Sequence, residues 1–115
     1  IGTDIVSVQR IYQMLEKNGD RFKEKIFTNK EIAYCDEKSN PSIHFAGRFA
    51  AKEAIKKCIY SSGYNKQIAF SKIEILPESN GIPIVSFIDI LDYKEIKVSI
   101  AHENDFAIAI AMFFL

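Results

Sequence analysis

The chain opens on a two-residue period: Ile1, Thr3 and Ile5 alternate with Gly2 and Asp4, which predicts a short strand. Val8, Ile11, Tyr12 and Leu15 then recur at helical spacing, with Ser7 as the N-cap and Gly19 as the stop. Thr28 and Glu31 form a capping box, and Phe27 can staple onto Ile32, so a second helix is expected over Asn29–Asp36. Residues 38–41 read as a loop. Asn40 followed by Pro41 marks a third helix start. No breaker follows until Gly63, which allows a helix of about 20 residues, roughly 30 Å long.

The main apolar stripe of that helix is Ile43, Gly47, Ala50, Ala51, Ala54 and Cys58, with Phe45 and Phe49 well round the barrel from it. Two apolar surfaces on one helix call for two partners. A domain of this length is expected to supply only one, so the pattern points to a subunit interface.

After Gly63 the period returns to two. Ile73 and Ile75 flank Glu74, and Asn80-Gly81 signals a tight turn before residues 82–87. Ile96, Val98, Ile100 and His102 share one parity, against Lys97 and Ser99, and residues 103–105 form a turn. In the last strand Phe106, Ile108, Ile110, Met112 and Phe114 face one way. Ala107, Ala109 and Ala111 face the other, leaving room for a close-packed neighbour. Helices come mostly first and antiparallel hairpins last, so the expected class is α+β, in one domain over residues 1–115.

Composition narrows the function less than the fold. Fifteen basic and fifteen acidic side chains give no net charge, which argues against a general nucleic-acid binder. The longest apolar run, 106–115, falls short of the ~18 residues of a membrane helix. No basic-then-apolar leader opens the chain, and Ile1 suggests that an initiator residue has been lost or left out. Cys35 and Cys58 cannot build a dense disulfide framework, so a reducing cytosol is the expected home.

Several polar residues stand out. Asp is depleted in strands, so Asp4 either caps the first helix or serves as a metal ligand or base. Glu53 shares a helix face with Ala46, Phe49, Ala50 and Lys57. It either pairs with Lys57 at i,i+4, worth only ~0.3–0.5 kcal/mol, or is a site carboxylate left uncovered by Ala50. Two carboxylates from different elements with few other polar groups suit a hard cation such as Mg²⁺, which keeps its waters and takes phosphate oxygens. His102 ends a strand of apolar residues and reads as a core histidine or a site residue; His44 reads as surface. Neither cysteine has a metal or redox context. Arg48, Lys52, Lys56 and Lys57, with Lys66 and Lys72 downstream, either bind phosphate or form a solvated helix face. Ser61, Ser62 and Gly63 either admit a phosphate to backbone N–H groups or end the helix. Arg10, Met14 and Lys17, followed by Arg21, line one face of the first helix, a basic surface with one apolar anchor that suits an acidic helix.

Five segments in this order resemble the holo-[acyl-carrier-protein] synthase family, the small 4'-phosphopantetheinyl transferases. They are Ile1-Gly-Thr-Asp-Ile-Val, Arg10-Ile11, Phe45-Ala-Gly-Arg-Phe-Ala-Ala-Lys-Glu-Ala-Ile-Lys-Lys57, Ile73-Glu-Ile with Asn80-Gly-Ile-Pro83, and Val98-Ser-Ile-Ala-His102. The resemblance implies the transferase fold: an N-terminal strand and helices, with a long central helix packed on an antiparallel sheet. It implies transfer of 4'-phosphopantetheine from coenzyme A to a serine of apo acyl carrier protein, dependent on Mg²⁺ held by Asp4 and Glu53. Lys57 corresponds to a lysine near the transferred phosphate, and the base is either Glu53 or a water on the metal. Arg48 and His102 match basic positions near the nucleotide end of coenzyme A. Ser62, Gly63, Gly81 and Pro83 lie in loops around the cofactor. Arg10, Met14 and Arg21 match the surface that docks the carrier. A cytoplasmic homotrimer is implied, with each coenzyme A cleft between two subunits, which gives Phe45, Phe49 or the alanine face of the last strand a second partner.

The chain departs from the family pattern in four places. Tyr60-Ser-Ser-Gly63 replaces Gly-Thr-Gly, Ala101 replaces a hydroxyl residue, Lys17 replaces a frequent Arg, and the segment 88–95 is shorter than the usual helix. Two other functions fit the residues alone: a metal-dependent hydrolase of coenzyme A or another nucleotide, and a non-catalytic module that binds an acidic helix.

Overall fold

A computed structural model describes residues 1–89 and 92–115. Strand β1 (Gly2–Ser7) leads into helix α1 (Val8–Ile26), then α2 (Asn29–Asp36) and the long α3 (Pro41–Ser61). A short 3-10 turn (Phe70–Lys72) precedes β2 (Ile73–Pro77), followed by β3 (Pro83–Phe87), β4 (Glu95–His102) and β5 (Phe106–Phe114). The expected α+β class holds. The shortened segment 88–95 crosses residues 90 and 91, which lie outside the described residues.

The local signals act as their chemistry requires. Ser7 accepts a hydrogen bond from the Arg10 N–H and caps α1. Thr28 and Glu31 complete the capping box of α2, and Pro41 opens α3. Gly19 differs from expectation. It does not stop α1 but kinks it, at φ 29 and ψ −110, a backbone that a side chain would strain, and the helix continues to Ile26.

The strands form two antiparallel sheets, β1-β5-β4 and β2-β3. In the first, Asp4 is opposite Ala109, and Ala109 opposite Ile100, so these three share the face turned to α3. The approach of α3 to this face is close. A Cβ on Gly2 would lie 2.0 Å from the Ala54 carbonyl oxygen, and one on Gly47 would lie 3.1 Å from Ile100 Cγ2. Ala107, Ala109 and Ala111 are buried beneath the same helix. The opposite side of α3 meets α1 and α2, where Phe45 packs on Phe27 (ring centroids 4.9 Å apart) and Phe49 on Phe22 and Phe70.

This corrects the expected subunit interface. Both apolar surfaces of α3 find partners within the chain, Phe45 is fully buried, and the alanine face of β5 is covered by α3. The face left open is the large one: Ile5, Phe106, Ile108, Ile110, Met112 and Phe114 are each 41% to 64% exposed on one side of the β1-β5-β4 sheet. Close helix approach selects the small residues for the interior and turns the bulky ones outward.

Candidate functional site

The contact between β1 and α3 that Gly2 permits carries Asp4 to the C-terminal half of the helix. Lys57 Nζ donates to Asp4 Oδ1 at 3.1 Å and to the Thr3 carbonyl at 3.0 Å. Glu53, one turn earlier on the same helix face, is half-buried and has no hydrogen-bond or ion-pair partner among the described residues. Two alternatives read from the sequence are thereby decided. Asp4 does not cap α1, because Ser7 does. Lys57 does not pair with Glu53 but crosses to β1. Its side chain is 54% exposed, so the bridge is worth at most ~1 kcal/mol, and an anionic ligand can re-partner Lys57 at little cost. A cavity of about 350 Å³ lies here, lined by Asp4, Lys57, Ile5, Ile108 and Ile110, and so adjoins the open apolar face.

Nearer the N-terminus of α3, Arg48 is buried and its Nε has no hydrogen-bond partner among the described residues. The Arg48 guanidinium carbon stands 4.4 Å from the Tyr34 ring centroid, and Lys38 Nζ 4.5 Å from it. His44 packs edge-on against Tyr34 and lies 5.6 Å from His102, ring centroid to centroid. Burial holds the His44 pKa below its ordinary value, and the charges of Arg48, His102 and Lys38 lower it further. A buried guanidinium atom without a partner, among three more groups that are or can become cationic, is an arrangement that an anion completes. His44 is therefore not an ordinary surface residue, and His102 is an exposed strand end, not a core histidine.

The solvated-face reading of the α3 cations also fails for Lys52. It is fully buried, donating to Glu31 Oε1 at 2.6 Å and to the carbonyls of Ile26 (2.7 Å) and Phe70 (3.0 Å). Glu31 in turn accepts from the N–H groups of Thr28 and Ile75. Helical spacing gave no sign of this hub, because its partners are 18 to 26 residues from Lys52.

The remaining expected residues are more scattered. The N–H groups of Ser62 and Gly63 bond to carbonyls of α3, and Ser62 Oγ donates to Ile59, so this loop ends the helix with its own donors. Gly81 (φ 85) and Pro83 sit at the β2–β3 turn, where the Ile82 N–H donates to Asn80 Oδ1. No hydrogen bond or ion pair among the described residues joins them to Asp4, Glu53 or Lys57. On α1, Arg10 and Arg21 are exposed and Met14 is half-buried; Met14 and Arg21 line one groove with Phe22 and Lys25.

Comparisons with known proteins bear on the family and the fold. A family model described as the 4'-phosphopantetheinyl transferase superfamily matches residues 1–111. The holo-[acyl-carrier-protein] synthase of Ruminiclostridium cellulolyticum is 42% identical over 120 residues, 97% of this chain and 89% of that protein. The Helicobacter pylori holo-[acyl-carrier-protein] synthase, solved in complex with coenzyme A, superposes with a TM-score of 0.83 at 31% identity, over 97% of both chains. That of Bacillus anthracis, in complex with CoA (3',5'-ADP), gives 0.80 at 33% identity, over 98% of this chain and 92% of that one. With near-complete coverage in sequence and in structure, the chain belongs to the holo-[acyl-carrier-protein] synthase family of 4'-phosphopantetheinyl transferases.

Proposed function

We propose that this chain, as one transferase domain, moves the 4'-phosphopantetheine arm of coenzyme A to a serine hydroxyl of an apo acyl carrier protein of fatty-acid synthesis. The observation that carries the reading is the Asp4–Lys57 contact, one helical turn from the Glu53 carboxylate, which has no partner among the described residues. Two carboxylates and no third His, Cys, Asp or Glu nearby among the described residues make a donor set too small for a protein-enclosed metal. It fits a cation of the Mg²⁺ kind, which fills its remaining positions with water and substrate phosphate. Such a cation, held by Asp4 and Glu53, supplies neutralisation of the pyrophosphate charge.

The chain's own residues do the rest. The serine oxygen attacks the phosphorus that bears the pantetheine arm, and the bond to the second phosphate breaks, releasing 3',5'-ADP. Lys57, freed from Asp4, stabilises the charge developing on the transferred group. Glu53 is the carboxylate of this chain available to take the serine proton. Arg48 and His102, with the orphaned Arg48 Nε, support binding of the nucleotide end. Ser62, Gly63, Gly81 and Pro83 border the bound coenzyme A. Arg10, Met14 and Arg21 meet an acidic carrier helix.

The working assembly is a homotrimer, with the open face of β5 as the contact between subunits. A bulky apolar sheet face beside the Asp4 cavity supports this reading, and a cleft shared by two subunits accounts for site residues that do not meet within one chain. The two cysteines are free and buried, in keeping with a cytoplasmic protein, and no helix among the described residues is long and apolar enough to cross a membrane.

The test is mass spectrometry of an apo acyl carrier protein incubated with this chain, coenzyme A and Mg²⁺. A gain of one phosphopantetheine arm supports the reading. Release of 3',5'-ADP with no gain by the carrier would assign a hydrolase instead.

A further inference from the structure

We infer that His44 is a proton-linked binding residue for the nucleotide end of coenzyme A: it takes up a proton from solvent as the anionic end of the ligand enters the cluster of Arg48, Lys38 and His102. The inference rests on the transferase reading and adds to it a residue, His44, that this reading does not use, and with it a regulation of binding by pH.

The cluster is held together without any ligand. His44 and Arg48 stand one turn apart on α3 and share a face. Tyr34 of α2 meets both: the His44 ring packs edge-on at 6.1 Å between centroids, and the Arg48 guanidinium carbon stands 4.4 Å from the Tyr34 centroid. Lys38 Nζ reaches the same ring at 4.5 Å, which orders both cations without neutralising either. His102, at the end of β4, closes the cluster 5.6 Å from His44. Arg48 is only 7% exposed, and its Nε is a buried donor with no partner among the described residues. The carboxylates of the surrounding elements are engaged elsewhere or turned to solvent. Glu31 is taken by Lys52 and Asp36 by Lys23, while Glu37 and Glu103 are exposed and pair with none of the four groups.

Positive charge is thus concentrated around His44, and no ion pair among the described residues cancels it. Burial and the neighbouring cations both oppose a proton on the imidazole of the free protein, and the His44 pKa lies below its ordinary value. A phosphate monoester placed among these groups reverses the balance, because its nearly double negative charge favours the imidazolium. Binding and proton uptake are then linked. The contribution of His44 to affinity is complete below its pKa in the free protein and is lost as pH rises to its higher pKa in the complex.

The experiment is titration calorimetry of 3',5'-ADP, with Mg²⁺ present, into the parent, His44→Phe, His44→Gln and His102→Asn. Runs at about pH 6, 7 and 8 in buffers of different ionisation enthalpy count the protons taken up on binding. His44→Phe keeps the edge contact with Tyr34 but holds no proton. The parent is expected to take up about half a proton more than His44→Phe near pH 7, and its affinity advantage over that variant to shrink from about tenfold at pH 6 to about twofold at pH 8. The phosphates of the ligand titrate in the same range, so the difference between parent and variant is what is read. Equal proton uptake and a constant affinity ratio in both His44 variants remove the inference. Loss of the excess uptake in His102→Asn, with none lost in the His44 variants, assigns the proton to His102 and also removes it. Should circular dichroism show His44→Phe misfolded, His44→Gln carries the decision. The two levels separate: a parent that binds 3',5'-ADP with no excess uptake loses only this inference, whereas a parent that neither binds 3',5'-ADP nor loads a carrier loses the transferase reading with it.

Discussion

Lys52 and Glu31 meet at 2.6 Å with both side chains fully buried, and their contact joins five parts of the chain. Through Lys52 the end of α1 and the 3-10 turn are tied to α3; through Glu31 the start of α2 and β2 join them. The turn of α3 anchored in this way carries Glu53 as its next residue. Breaking the pair from one side leaves an uncompensated buried charge. Lys52→Met should therefore cost ~3–5 kcal/mol in urea unfolding. Adding Glu31→Gln should cost less than the sum of the single variants, because the charge left behind is then removed as well. Strictly additive losses would show that the two residues are not coupled.

Asp4→Ala and Glu53→Ala should each slow loading of the carrier by at least ~100-fold while leaving the thermal midpoint within a few degrees of the parent. Both side chains face a cavity or stand without partners, so their removal opens no packed core. Titration calorimetry of the free protein gives an independent reading: Mg²⁺ binding should be lost in both variants. A variant that binds Mg²⁺ as the parent does would remove that carboxylate from the site.

Ile110→Glu places a charge at the centre of the open face of β5, where Ile110 is 47% exposed in the single chain. Light scattering should give a multiple of the 13.1 kDa chain mass for the parent and the chain mass itself for the variant. A parent that is monomeric across a wide dilution range would leave the face without its proposed partner.

Burial pushes the Cys35 thiol up to about 12 from 9.0. The folded state thus holds this proton more tightly than the unfolded state. The resulting stability is fully present below pH ~9 and is lost as pH rises from there toward 12. Unfolding monitored between pH 8 and 11 should show a decline that Cys35→Ala flattens. Thiol reagents at pH 8 should label Cys35 only as fast as the chain unfolds.

Much of the fold was legible because its signals are local. Thr28 with Glu31, Asn40 with Pro41, and Asn80 with Gly81 act within a few residues of one another, and each produced the element it predicted. Gly19 shows the margin of error. A glycine that ends an isolated helix can equally bend one, when Phe22 and Ile26 beyond it still have a core to enter. The two carboxylates of the candidate site stood out because Asp in a strand and Glu beside alanine are locally unfavoured or uncovered choices. Lys52 was misread for the opposite reason, since a lysine on a basic helix looks ordinary until its distant partners are known.

Alone, the order of residues determined where the helices begin, which side chains share a face, and which family the segments resemble. It could not determine which face of β5 would be covered. Size favours burying Phe106, Ile108 and Ile110, yet the approach of α3 to Gly2 admits only alanines beneath it. Nor could it decide whether Lys57 would bond to Glu53, four residues away, or to Asp4, fifty-three away. Periodicity sorts residues into faces through backbone geometry that every chain shares, whereas burial and pairing depend on what the rest of the molecule brings to each face.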